Sequence, residues 1–337
     1  MTHLKEILTM HKTWLVTGVS GFIGSHLLET LLKNNQKVIG LSPFLTEKRD
    51  TFNDLLSQIP PEKLKNFSLV SGDIRDFKTC LEITKNVDFV LHQSALGSIP
   101  QSIKDPLSVN EVNVMGFLNI LRASEENKIS RFIYASTSYV YGDSQDPNVE
   151  DKIGNLLSPY AVSKRTNELY GQVFYRCYGL PTLGLRYFNV FGPRQESTSP
   201  HASVIPRWIN ALLKQEPCII NGDGLHTRDF CYVNNVVQAN IKAALTQNSQ
   251  AFGEVFNVAS GKRTTLLELH ALIKTFLGGC EESKLIHRED RPGNIKHLFA
   301  SIDKAKDVLG YHPTHSLEDG LKITIEWVKK NQPATLF

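Results

Sequence analysis

The segment that most restricts the fold lies near the start of the chain. Thr13-Trp14-Leu15-Val16-Thr17 is a short apolar run of the kind that makes a buried strand. Ile23, Leu27 and Leu31 then recur every four residues, the period of a helix with one apolar face. Between the two stand Gly18, Gly21 and Gly24, in Thr17-Gly18-Val19-Ser20-Gly21-Phe22-Ile23-Gly24. Glycines so placed allow a tight turn, the approach of a pyrophosphate to the backbone, and close packing of helix on strand. The helix start adds unpaired N–H groups and a partial positive charge. A plain strand-to-helix turn would need fewer glycines, so the segment predicts a dinucleotide site built from Gly18, Gly21, Phe22, Ile23 and Gly24.

The alternation continues along the chain. Lys37–Leu41, Phe67–Val70, Val87–Leu91, Arg131–Ala135 and Thr182–Leu185 read as strands, and Val109–Ala123 as a helix. Ser158 can cap, and Pro159 can open, a further long helix. The expected fold class is α/β: a Rossmann-type doubly wound parallel sheet with a smaller, mixed C-terminal substrate domain. The length of 337 residues suits two packed domains. The first is expected over 1–190, with a segment near 228–260 rejoining it through Val255-Phe256-Asn257-Val258; the second takes most of 191–337.

Composition narrows the class. With 37 basic and 34 acidic side chains the net charge is +3, too small a field for a nucleic-acid partner. No apolar run approaches the roughly 20 residues that span a bilayer, and the first residues lack a signal-peptide core. The five cysteines are scattered without a Cys-x-x-Cys pair, as in reduced cytosolic chains. His312 and His315 are separated by Pro313 and have no carboxylate cluster, so no metal site is expected.

Two further sites carry chemistry. The second strand ends in Leu41-Ser42-Pro43-Phe44, where an acidic residue usually holds the adenosine ribose. Ser42 offers a hydroxyl without charge, with Lys48 and Arg49 close behind; NAD is expected and NADP stays open. Asp73, followed by Ile74, can accept from the adenine amino group. Of the ten tyrosines only Tyr160 has a lysine, Lys164, four residues on. That spacing stacks the two on one helix face. An ammonium there, with a nicotinamide cation, is expected to lower the phenol's pKa toward neutrality and make it a general base for an alcohol. Ser136, Thr137 and Ser138 end the fifth strand, on the side that faces a ligand crevice.

The glycine turn, the hydroxyl cluster before Tyr141-Gly142, and Ser158-Pro159-Tyr160-Ala161-Val162-Ser163-Lys164 resemble the extended short-chain dehydrogenase/reductase superfamily, in its nucleotide-sugar branch. Leu185-Arg186-Tyr187-Phe188-Asn189-Val190-Phe191-Gly192, Arg228-Asp229-Phe230 and Arg291-Pro292-Gly293 extend the resemblance over nearly the whole chain. His92-Gln93-Ser94-Ala95-Leu96-Gly97-Ser98-Ile99-Pro100 and Arg228–Tyr232 are similar to segments of bacterial UDP-N-acetylglucosamine 4-epimerases of surface-polysaccharide pathways. The resemblance implies Tyr160 as base, Lys164 as its electrostatic partner and nicotinamide-ribose ligand, and Thr137 at the sugar O4 with Ser136 and Ser138 beside it. It places Gln93, Ser94, Ala95 and Tyr187 at the cofactor. Gly97, Ser98, Asn189, Arg194, Arg228, Arg291 and Leu298 fall at the UDP-sugar, with Asn189, Arg228 and Arg291 on the diphosphate, and a cytoplasmic homodimer is implied.

Related 4,6-dehydratases carry an Asp-Glu pair straight after the hydroxyl residue, and related decarboxylases a glutamate; this chain has Ser138-Tyr139. Epimerisation at C4 is therefore the expected reaction, with UDP-glucuronate epimerase or decarboxylase as alternatives and a non-catalytic NAD(P) sensor as the rival class. Leu298 is intermediate between the bulky tyrosine of epimerases restricted to plain sugars and the small residue of those taking N-acetyl sugars. Gln101 and Asn294 also depart from the subgroup pattern, so the expected sugar is UDP-N-acetylglucosamine/UDP-N-acetylgalactosamine or a uronate form.

Overall fold

A computed structural model describes residues 11–43, 49–144, 147–197, 202–278, 283–289 and 297–331. Its strands are β1 (Thr13–Thr17), β2 (Lys37–Ser42), β3 (Phe67–Ser71), β4 (Phe89–His92), β5 (Arg131–Thr137), β6 (Thr182–Tyr187), β7 (Cys218–Asn221), β8 (Thr227–Arg228), β9 (Glu254–Val258), β10 (Thr264–Thr265), β11 (Leu285–Arg288) and β12 (His297–Leu298). Its described helices of ten residues or more are α1 (Phe22–Lys33), α2 (Phe117–Glu126), α3 (Pro159–Tyr178), α4 (Val204–Leu213), α5 (Val233–Leu245), α6 (Leu266–Leu277) and α7 (Leu317–Asn331).

Seven strands form one parallel sheet in the order β3-β2-β1-β4-β5-β6-β9. Side chains alternate across it with period two. Trp14 and Val16 pack with Leu27, Leu28 and Leu31 of α1, whereas Leu15 packs with Phe117, Ile120 and Leu121 of α2 on the other face. Both faces are buried, which is why the strands read as unbroken apolar runs. β9 lies beside β6, and α5 supplies Val236, Val237 and Ile241 to the core beneath it. The second unit has its own core, in which Trp208, Ile209 and Leu212 meet Ile220, Leu269, Ile273 and Leu321. Short mixed strands in the order β10-β8-β12 adjoin it.

The helix expected over 109–123 is interrupted. Pro106–Asn110 is α-helical, Glu111–Gly116 widens into a π-turn, and α2 follows. The widened turn carries the buried Asn113, whose amide accepts from the Leu96 N–H at 2.8 Å and donates to the Leu96 carbonyl at 3.0 Å and the Ser163 hydroxyl at 3.1 Å. It joins the loop after β4 to α3. Such widened turns recur at functional sites. Among the described residues no helix is long and apolar enough to cross a membrane.

Candidate active site

β1 and β4 are neighbours in the sheet, yet the chain leaves them toward opposite edges; ligands of open α/β sheets bind at such a switch point. The glycine turn stands there. Gly18 has φ +66° and donates its N–H to the Leu41 carbonyl at 2.8 Å. A Cβ on Gly18 would lie 3.0 Å from the Ser94 nitrogen, and one on Gly24 only 2.2 Å from the Gly18 carbonyl oxygen. α1 begins at Gly21 without a side-chain cap, so its first N–H groups are left for a ligand. These features fit a dinucleotide pyrophosphate laid against Gly18, Gly21, Phe22, Ile23 and Gly24.

Around the turn several side chains have partners of their own. Ser42 is buried and shares a hydrogen bond of 2.6 Å with the Ser20 hydroxyl. Asp73, offered above as an adenine acceptor, already takes both oxygens to Arg75, with Nε at 3.1 Å and Nη2 at 2.7 Å. The hydrogen bonds from Arg75 are the largest influence holding its carboxyl below the usual range. The adjacent Ile74 is buried, and its carbonyl accepts from Asn119 at 3.0 Å. Gln93 gives its amide to Asn240 and receives the Tyr187 hydroxyl at 3.1 Å, so the Tyr187 phenol is occupied inside the protein. Ser94 N–H bonds to the Thr17 hydroxyl at 3.2 Å, and Ala95 follows it in the loop. Gly97 faces open space, and Ser98 caps the helix Ile99–Lys104 by accepting from the Gln101 N–H.

Ser158 caps α3 by accepting from the Ala161 N–H at 3.2 Å, with Pro159 in the first turn. Gly171 lets the same helix lie close on β5: a Cβ there would be 2.7 Å from the Tyr134 hydroxyl. Docked this way, α3 presents Tyr160 and Lys164 to the end of β5. The Lys164 ammonium bonds the Ala135 carbonyl at 3.0 Å, and the Thr137 hydroxyl stands near enough to the Tyr160 phenol to act on its pKa. Thr137 also accepts from the Tyr139 N–H, turning the chain into the short 3₁₀ helix Ser138–Tyr141, where Ser138 is buried.

Three expectations are corrected here. The Ser136 hydroxyl does not join Thr137 at Tyr160: it donates to Glu168, two helical turns further along α3, at 2.6 Å. The Tyr160 phenol is not brought toward neutrality by Lys164: burial pushes it up to about 12, with the Thr137 bond working the other way. Lys164 is itself drawn down to about 8 by burial. Arg194 is tied to α1 through Ser25 at 3.1 Å and Glu29 at 2.7 Å. With Ser20, Gly21 and Phe22 it lines a cavity of about 300 Å³, which puts it at the dinucleotide turn.

Among the remaining substrate candidates, Arg228 on β8 is in register with Leu298 on β12, and its charge acts on the Tyr139 hydroxyl. Leu298 is buried at 3% exposure. Asn189 has φ +31° and donates to the Asp229 carbonyl at 3.2 Å. Asp229 holds the segment 260–261 by accepting from the Ser260 and Gly261 N–H groups at 2.7 and 2.9 Å. Arg291, Asn294 and Lys48 lie outside the described residues. Asn113, Ser20, Glu168 and Arg186 were not found by sequence reasoning. Glu168 had a signal in its spacing, four residues after Lys164; the others had none.

Residues 14–259 match the NAD dependent epimerase/dehydratase family. The chain belongs to this family of extended short-chain dehydrogenase/reductase proteins. It is similar to the UDP-N-acetylglucosamine 4-epimerase of Methanobrevibacter ruminantium M1, solved with UDP-N-acetylmuramic acid, at 35% identity and TM-score 0.87, covering 96% of this chain and 99% of that one. The UDP-glucuronic acid 4-epimerase of Bacillus cereus, solved with UDP-glucuronic acid and NAD, shares 31% identity at TM-score 0.85, covering 95% and 100%. The UDP-glucose 4-epimerase of Thermotoga maritima, solved with UDP-glucose, shares 33% at TM-score 0.83, covering 94% and 99%.

Ser42→Asp replaces the Ser20–Ser42 hydroxyl pair with a carboxylate that accepts from the ribose hydroxyls and repels a 2′-phosphate. Its NAD to NADP affinity ratio, measured by fluorescence titration, is expected to rise by about tenfold or more.

Proposed function

We propose that this protein is an NAD-dependent 4-epimerase of a UDP-sugar, serving surface-polysaccharide synthesis. One observation carries this reading: Tyr160, Thr137 and Lys164 converge at the end of β5 while Ser138-Tyr139 stands where a second acid–base step would need a carboxylate. Tyr160 takes the proton of the sugar O4 hydroxyl, Thr137 orients that hydroxyl, and Lys164 supplies positive charge from the helix turn below. Bound NAD would supply the hydride acceptor and donor. The 4-keto sugar then turns over in the pocket, and Tyr160 returns the proton on completion. Tyr160→Phe loses only the acidic hydrogen. Incubated with a panel of UDP-sugars without added cofactor and followed by NMR, it is expected to show no C4 interconversion while its NAD content stays at the wild-type level. Turnover within about tenfold of wild type would place the base elsewhere.

The sugar proposed is UDP-N-acetylglucosamine/UDP-N-acetylgalactosamine or a uronate form. Leu298, beside Arg228, is a wall residue of intermediate size. Leu298→Tyr should lower the kcat/KM ratio of acetylated to plain sugar by about 10-fold or more, the scale that one pocket position commands; an unchanged ratio removes Leu298 from the pocket.

The protein is proposed to act as a homodimer. Val162, Leu169 and Val173 are 46–49% exposed along one side of α3, and the neighbouring segment adds Leu107 and Met115 at 77% and 50%. A contiguous apolar face of this kind is self-complementary about a two-fold axis. Leu169→Glu is expected to shift the particle from dimer to monomer mass in light scattering; a wild-type particle already monomeric at micromolar concentration refutes the dimer.

A further inference from the structure

Three consecutive residues at the end of β5 are fastened to α3. Ala135 accepts from the Lys164 ammonium at 3.0 Å, Ser136 donates to Glu168 Oε1 at 2.6 Å, and the Thr137 hydroxyl acts on the Tyr160 phenol. Tyr160, Lys164 and Glu168 are spaced four apart and so share one helix face. The outer two fastenings hold the groups assigned above to the chemistry. The middle one is buried, and the reading above gives it no task.

Glu168 is 2% exposed, yet its oxygens are filled. Arg186 donates Nε to Oε1 at 2.8 Å and Nη2 to Oε2 at 2.9 Å, and Arg165 adds Nη1 to Oε2 at 2.9 Å. Arg186 is fully buried on β6, in register with Ser136; it lies 4.8 Å over the Tyr141 ring and gives Nη1 to the Glu150 carbonyl at 3.0 Å. Taking two charges out of water costs more than an apolar pair of the same size, and the return such a pair gives is a single defined arrangement.

We infer that Glu168, oriented by Arg186 and reaching β5 through Ser136, is a positioning residue that sets the register between the strand end and the catalytic helix. It places the Thr137 hydroxyl and the Lys164 ammonium for proton removal at Tyr160. This rests on the epimerase reading of that site.

The same carboxylate acts on Lys164 through its charge. Lys164 is faced by Glu168 on its own helix and by His92 at the end of β4, with Arg186 of β6 behind Glu168. His92 is kept neutral, its pKa pushed down to about 3 by burial and by the Lys164 charge. Burial draws Lys164 down and Glu168 works to raise it. Removing the negative charge therefore lowers the Lys164 pKa further, and the ammonium is lost at lower pH.

The test uses the enzyme with its resident cofactor. Ser136→Ala and Glu168→Gln are expected to lower kcat about tenfold or more, with KM within about threefold and NAD content unchanged. Glu168→Gln alone should move the basic limb of the kcat profile to lower pH, and Glu168→Asp, which keeps the charge but not the reach, should restore the limb without restoring kcat. Wild-type kcat and an unmoved basic limb in folded variants overturn the inference. Should Glu168→Gln not fold, Ser136→Ala, which leaves the ion pair whole, decides by its kcat alone. Tyr160→Phe is measured alongside: if it stays active the underlying reading fails, and if it is dead while Ser136→Ala and Glu168→Gln match wild type, only the positioning role falls.

Discussion

A single carbon atom added at Gly24 would lie 2.2 Å from the carbonyl oxygen of Gly18, a separation that no pair of non-bonded heavy atoms tolerates. That contact sets the angle at which α1 leaves β1, and with it the direction of the open N–H groups at the helix start. The opposite wall is equally close: Gly18 lies against the backbone of Gln93 and Ser94. Thr17 completes the junction. Its hydroxyl accepts from the N–H groups of Gln93 and Ser94, each at 3.2 Å, so its own hydrogen goes to His92 Nδ1 at 2.9 Å. His92 therefore carries its proton on Nε2, in agreement with the neutral state that burial imposes. The cradle for the dinucleotide is made of backbone, and its shape is fixed before any ligand contact.

The chemistry stands on a second junction, between the end of β5 and α3. Here the molecule departs from apolar packing. Ser136, Glu168 and Arg186 are buried together, and the network runs on through Tyr141, whose hydroxyl donates to Asn257 at 2.7 Å, to Glu150, which accepts the Asn257 N–H at 2.8 Å. It thus links β5, β6, β9 and α3. Removing one partner of a buried pair typically costs about 3–5 kcal/mol, because the other charge is left unpaired. Every member here has a partner, and the Glu168 carboxyl stays below its ordinary pKa although burial works to raise it, because the bonds and charge of Arg186 prevail.

Much of this could be read from residues. Strands buried on both faces are continuous apolar runs, so β1 through β6 are legible; the run from Val87 begins two residues before β4, and Asp88 between them still gives its N–H to the Thr13 carbonyl and accepts from the Ser130 N–H, each at 2.9 Å. Tyr160 and Lys164 were visible as a pair because helical spacing alone brings them together. The place of Ser136 is not legible because the strand gives way to a 3₁₀ turn two residues later, and a string of hydroxyls does not show which one turns inward. Asn113 had no signal, since a π-turn depends on what its side chain meets 17 and 50 residues away. The anchorage of Arg194 had no signal for a similar reason: its partners Ser25 and Glu29 belong to α1, more than 160 residues earlier.

The acid–base inventory at the site limits what can follow the first proton transfer. Elimination or decarboxylation needs a second group free to take up or give a proton at a carbon next to C4. Among the described residues, two carboxylates near the end of β5 are committed: Glu168 holds four hydrogen bonds, and Glu150 is buried with its Oε1 on the Asn257 nitrogen. Tyr139, at the position where related enzymes carry an acid, is a phenol and not a carboxylic acid. Among the described residues, Tyr160 is the group assigned to exchange a proton with the sugar beside Thr137, and the group that accepted the proton gives it back. A pocket that can only undo its own oxidation changes the substrate in one way, by letting the ketone present its other face before the return.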